Sequence, residues 1–320
     1  TENPWMFEFV DAEIKNGIAT VNINRPEAMN ALNGTVVEQL GALVDNLNED
    51  TSIHTIVLEG AGKAFVAGAD VKFFVDRLDE NAFPKIYEFT AEGHNVLAKI
   101  ENSPKTTVAL TTGLALGGGL ELALSCDYRI GTRRTQFRFP ETSIGIYPGL
   151  GGTQRTTRIC GVNAARWAIL AGNWIGPKQG EDLGLITHLV EPADVEKTIE
   201  IISNQGKPAN KYTGAPIRMS EAVQAAIEFY SDDNMNSIMT GQIPEGSLEG
   251  YASRQIKQIS RTAPIALRMA SDLIDIAAST NLEEGLAAEL QHLEDIFATK
   301  DAYEGLSSLI QGRRPNYNNE

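Results

Sequence analysis

Residues 115–123, ALGGGLELA, constrain the fold more than any other stretch. Three consecutive glycines close the strand-like run TTVALTT and open an apolar helical pattern that carries one carboxylate, Glu121. Glycine costs roughly 1 kcal/mol relative to alanine inside a helix, so a triple run at a helix mouth needs a reason. It lets a backbone or ligand pass close by and leaves the first-turn N–H groups free, where the helix dipole favours a negative oxygen. Such a junction serves as an anion or oxyanion site, or equally as a close contact between helix and strand, and these residues alone leave both readings open. Neither GxGxxG with a downstream acid nor GxxxxGK[ST] is present, so no nucleotide motif is satisfied. Capping alone accounts for a carboxylate in a first turn.

Around this junction, strand patterns alternate with helical ones, the signature of an α/β fold. FEFV and IATVNIN flank the turn signal Asn16-Gly17 and read as a hairpin. Val37, Leu40, Leu43, Val44 and Leu47 then form one helical stripe, with Asn33 or Thr35 as the cap. HTIVLEG, PKTTVALTTG, YRIGT, TQFRF and ITHLVEP supply strands. Residues 86–100 read as a helix, and 151–172 as another. The domain reading is an α/β core over 1–203, an irregular insertion or linker with a short helix over 204–258, and a helical region over 259–320.

A formal charge of −15 repels polyanions, which speaks against nucleic-acid binding. No apolar run reaches the roughly 18 residues of a spanning helix, and the start lacks a signal-peptide pattern, so a cytoplasmic protein without membrane contact is expected. Cys126 and Cys160 are too few for a disulfide framework and have no metal-ligand spacing. The four histidines are scattered and read as packing or surface residues. So do Trp167 and Trp174 as core or interface residues, and Arg155 and Arg158 as ion-pair partners.

The second carboxylate of interest is Glu141, in FRFPETSIGIYPGLGGT, placed after a strand and before a glycine-rich turn. Two carboxylates at strand ends beside N–H-rich turns suit general acid and base work. The small-residue turn Ala67-Gly68-Ala69-Asp70, after the strand HTIVLEG, can add a second backbone donor.

Together these segments resemble the crotonase, or enoyl-CoA hydratase/isomerase, superfamily. NINRPEAMNALN, GKAFVAGADVK, GLALGGGLELALSCDYRI, FRFPETSIGIYPGLGGTQRTTRICG and FATKDAYEGLSSLIQGRRPNY carry the likeness, in order, over residues 7 to 203 and 259 to 317. The resemblance implies a spiral of ββα units with a helical C-terminal region for self-association into trimers or dimers of trimers. It implies an oxyanion hole at Ala69 and Gly118, and catalytic glutamates at Glu121 and Glu141, twenty residues apart as in the hydratases. It further implies acyl-CoA contacts at Ala28, Met29, Gly68, Asp70, Val71, Lys72 and Gly149, and no cofactor beyond the coenzyme A thioester that is the substrate. Hydration of a short-chain 2-enoyl-CoA such as crotonyl-CoA is the implied reaction. Alternatives are a double-bond isomerase or acyl-CoA hydrolase on the same scaffold, and a non-catalytic RNA-binding homologue.

The chain departs from its relatives by an insert of roughly 50 residues, from about Asn204 to Gln255, with the length to form a lid, a brace or a docking element. The insert and the start without Met also fit the hydratase part of a protein with a fused or associated hydroxyacyl-CoA dehydrogenase module.

Overall fold

A computed structural model describes residues 3–320. The hairpin forms as its turn signal predicts: β1 (Val10–Lys15) and β2 (Ile18–Ile23) pair antiparallel, with Lys15 facing Ile18. Asn16 and Gly17 both have positive φ, 52° and 78°, which a two-residue turn joining right-twisted strands requires. Residues 7–9 of the expected strand lie before it. In α1 (Gly34–Glu49), Asn33 is the cap, its side chain accepting from the Val36 amide at 2.8 Å. The helix buries Val37, Leu40, Leu43, Val44 and Leu47, the stripe its periodicity predicts.

The chain then repeats a pair of strands followed by a helix. β3 (Thr55–Gly60) and β4 (Ala64–Ala67) lead to α2 (Val71–Asp79) and α3 (Phe83–Glu101). β5 (Thr106–Thr111) and β6 (Leu114–Leu116) lead to α4 (Gly118–Ser125). β7 (Tyr128–Gly131) and β8 (Gln136–Arg138) lead through a 3-10 turn, Glu141–Ile144, to α5 (Gly152–Cys160) and α6 (Val162–Ile169). α7 (Pro177–Leu183), β9 (His188–Leu189) and α8 (Val195–Gln205) complete the α/β part. From β3 on, the first strand of each pair joins a six-stranded sheet ordered β1-β2-β3-β5-β7-β9, and the second joins a three-stranded parallel sheet ordered β4-β6-β8. The ββα spiral is therefore present.

Three local expectations are corrected. The run read as one strand entering the glycines ends at Thr111; the chain crosses between sheets, and only β6 meets the glycines. Residues 151–172 form two helices, because Gly161 takes φ 90° and ψ 166°, outside helical geometry. ITHLVEP holds a strand of only two residues, since β9 is a short edge beside β7.

The C-terminal third contains α9 (Glu221–Phe229), α10 (Asp232–Met239), α11 (Glu249–Ile259), α12 (Pro264–Ala277), α13 (Leu282–Gln291), α14 (Leu293–Phe297) and α15 (Lys300–Gln311). The 204–258 stretch is docked on the core: buried Arg166 donates to the Tyr230 carbonyl at 2.9 Å, and Tyr230 donates to Gln255 at 2.6 Å. Among the described residues, no helix is long and apolar enough to cross a membrane.

Candidate active site

The small sheet sets the site. Its register aligns Ala67 with Leu116 and Leu116 with Arg138. Two residues beyond the ends of β4 and β6 lie Ala69 and Gly118, on adjoining turns: a Cβ on Gly118 would stand 3.8 Å from the Gly68 carbonyl carbon. Ala69 forms a parallel bridge with Leu32, in which Gly68 O accepts from Leu32 N at 2.8 Å and Leu32 O accepts from Asp70 N at 2.9 Å. That pattern turns the amide of Ala69 away from Leu32, and it has no acceptor among the described residues. Gly118 is the first residue of α4, and its amide is likewise unspent, as first-turn donors are. Both residues line a cavity of about 330 Å³, together with Glu121, Glu141, Gly68 and Gly149. Ligands in parallel α/β sheets bind at this carboxyl end of the strands for the same geometric reason.

Glu121 sits one turn into α4 and is 2% exposed. Its Oε2 accepts from the amides of Leu150 at 2.6 Å and Gly152 at 2.7 Å. Burial raises its pKa above the ordinary glutamate value; these two amides and Arg155 oppose the rise by favouring the anion. Glu141, also buried, opens the 3-10 turn after β8. Burial, then the charge of Glu121, push its pKa well up, against the pull of Arg138. Its Oε1 has no hydrogen-bond partner. Hydrogen bonding thus separates the two acids: the one gripped by amides holds the charge more readily, and the other holds the proton.

Gly117 makes room for this arrangement. Its φ of 48° lies in the left-handed region, and a Cβ there would stand 2.6 Å from Glu141 Oε2. The glycine at the helix mouth is needed both for its backbone and for the second acid.

Of the expected acyl-CoA contacts, Gly68, Val71 and Gly149 line the cavity. Ala28, Met29, Asp70 and Lys72 do not. Ala28 ends a 3-10 turn and Met29 follows it with φ 52°. Asp70 lies 3.6 Å from Arg25, and exposed Lys72 pairs with Asp76 at 2.7 Å, so their charges are engaged beside the cavity. Arg155 pairs with Glu101 as expected. Arg158, expected in an ion pair, instead donates to Thr280 at 3.4 Å.

Several residues of the site are not apparent from sequence. His94 is partly buried and its Nε2 meets Gly149 O at 2.7 Å; desolvation pushes its pKa down to about 4. It is a packing residue, as expected of the histidines, but one that holds a cavity-lining loop. Phe74, Phe89 and Phe297 wall the cavity, with ring centroids 5.9 Å apart for Phe74–Phe89 and 5.2 Å for Phe74–Phe297. Glu289 on α13 is fully buried beside the loop that grips Glu121. The leucines 282, 286, 290 and 293 point to a leucine stripe, whereas Gly285 and Glu289 form the buried face of α13.

Paired free amides and paired buried carboxylates on one cavity suit an enzyme that stabilises a developing oxyanion and moves protons beside it. The sequence model of the family described as enoyl-CoA hydratase/isomerase matches residues 18–320. A short-chain-enoyl-CoA hydratase of Clostridium acetobutylicum is 31% identical over 262 residues, covering 76% of this chain and 97% of that protein. A crotonyl-CoA hydratase of Syntrophomonas wolfei is 34% identical over 200 residues, covering 62% and 75%. The crystal structure of an enoyl-CoA hydratase from Rhodobacter sphaeroides superposes with a TM-score of 0.83 at 23% identity, covering 98% of this chain and 93% of that one. The chain belongs to the enoyl-CoA hydratase/isomerase family.

Proposed function

We propose that this protein hydrates short-chain 2-enoyl-CoA thioesters, crotonyl-CoA being the type substrate, and runs the reverse dehydration of 3-hydroxyacyl-CoA. The observation that carries the reading is the pair of unspent amides, Ala69 and Gly118, on the cavity that also holds two buried carboxylates. The thioester oxygen accepts from both amides. Glu121, as the anion, takes a proton from water, and the water oxygen bonds to the β-carbon. The π electrons move to the thioester oxygen as an enolate, which the two amides stabilise more strongly than the neutral carbonyl. Glu141, as the acid, delivers its proton to the α-carbon and the thioester re-forms. Water has been added, and proton exchange between the coupled acids restores the starting state. The scheme uses only side chains, amides and the thioester itself.

The phenylalanine wall and the cavity of about 330 Å³ support a short acyl group. Self-association as a trimer or dimer of trimers is part of the proposal, with half-exposed Leu309 and Ile310 on α15 as contact residues. The test is loss of the conjugated enoyl-thioester absorbance over a chain-length series of 2-enoyl-CoA substrates. Turnover is expected to be fastest at the short end. A folded protein that consumes none of the series contradicts the reading.

A further inference from the structure

The loop entering α5 is strung between two buried carboxylates. Three successive amides alternate: Leu150 donates to Glu121 Oε2 at 2.6 Å, Gly151 to Glu289 Oε1 at 2.7 Å, and Gly152 to Glu121 Oε2 at 2.7 Å. Thr153 Oγ1 then donates to Glu289 Oε2 at 2.5 Å, while the same hydroxyl oxygen accepts from Gln154 Nε2 at 2.9 Å. Both oxygens of Glu289 thus accept, which favours its carboxylate anion; burial and the charge of Glu121 act the other way and push its pKa up to about 8.

Fully buried anions are retained only where they are compensated or used. Glu289 is 0% exposed and has no direct contact with a lysine or arginine. His94 Nε2, on α3, lies 3.8 Å away, but it meets the Gly149 carbonyl and is neutral near pH 7. Arg155, on α5, acts from further off and is paired with Glu101. The other titratable groups that face Glu289 are Glu121 on α4, Glu141 in the 3-10 turn and Tyr147, whose hydroxyl donates to the Glu289 carbonyl at 2.5 Å. α12 presents the Leu273 carbonyl, which takes up Gln154. This is poor compensation for a charge whose only strong bonds run to the loop that grips Glu121.

We propose that Glu289 is a positioning residue: its carboxylate holds the turn over residues 150–153 so that the flanking amides stay aimed at Glu121, keeping Glu121 the proton acceptor of the catalytic pair. The inference rests on the hydratase reading above. Glycine at 151 cannot swing its amide toward Glu121 without giving up Glu289, so the alternation locks the turn. When ionised, Glu289 also raises the proton affinity of Glu141.

The test is crotonyl-CoA hydration across pH for wild type, Glu289→Gln and Thr153→Val. Glu289→Gln keeps size but places an amide NH2 against one of two donors. Its kcat is expected to fall about 10- to 100-fold, as for other supporting residues behind a catalytic group, with KM within about threefold. Its alkaline limb, set by loss of the Glu141 proton, moves to lower pH because a neighbouring negative charge is gone. Thr153→Val removes one donor and leaves the charge, so kcat falls while that limb stays in place. A merely structural role would lower the folded fraction without moving the limb. Wild-type kcat and an unmoved limb in Glu289→Gln overturn the inference; if that variant does not fold, wild-type kcat in Thr153→Val overturns it. An inactive wild type instead refutes the hydratase reading, and is seen before any variant is made.

Discussion

The amino end of the large sheet and the carboxyl end of the small one treat buried charge in contrasting ways. Beside the large sheet, Arg129 on β7 is 1% exposed, and its guanidinium donates to three carbonyls: Cys126 and Leu185 at 2.9 Å and Gly184 at 3.2 Å. Asp127, next to it, accepts from the Thr107 amide at 3.0 Å and from Lys207 at 2.8 Å. Both of these charges are answered, and the result is structure. At the end of the small sheet, Glu141 keeps an oxygen with no partner and two amides have no acceptor. Unmet hydrogen-bonding capacity in a buried place costs stability, and at this cavity a polar reactant would fill it.

The contrast predicts opposite responses to mutation. Glu141→Gln is expected to cut crotonyl-CoA hydration by about 10²- to 10⁴-fold, the range for a general acid, measured by initial rates. The same change should stabilise the fold at neutral and alkaline pH. Because the folded-state pKa of Glu141 is raised, its favourable contribution is present below the unfolded value and is lost as pH rises through the folded one, and glutamine suffers no such loss. Thermal melts at pH 8 should therefore show a higher Tm for the variant, with the difference gone below about pH 4. An equal or lower Tm at pH 8 would break the comparison.

Arg129→Met should do the reverse. Stranding three buried carbonyls costs about 3 kcal/mol, seen as a lower denaturant midpoint, while kcat per folded molecule is unchanged. Gly117→Ala sharpens the picture from within the site. Its Cβ would meet Glu141 Oε2 at 2.6 Å in a backbone region that disfavours side chains. A roughly tenfold fall in kcat with about 1–2 kcal/mol of lost stability is the expected result.

How much of this was legible in the sequence follows from the range of the interactions involved. Asn16-Gly17, the α1 stripe and the glycine run at 117–119 act through local backbone geometry, so they could be read directly. Glu121 and Glu141 were readable as strand-end acids because helix mouths and strand ends leave local signatures. β4 and β6, of four and three residues, are too short for a periodic pattern, and nothing local says that alternate strands enter different sheets. Glu289 is not legible because α13 buries Gly285 and Glu289 most deeply while its leucines stay only partly buried; tertiary packing overrides the amphipathic pattern there. Ala28, Met29, Asp70 and Lys72 rested on family likeness alone, and the cavity forms without them.

The most direct measurement is a crystal structure with butyryl-CoA, a saturated thioester that cannot be hydrated. The account predicts its thioester oxygen within about 2.7–3.1 Å of the Ala69 and Gly118 amides, with the α- and β-carbons facing Glu141 and Glu121. A thioester oxygen that meets neither amide, or an acyl group seated away from both glutamates, would contradict it.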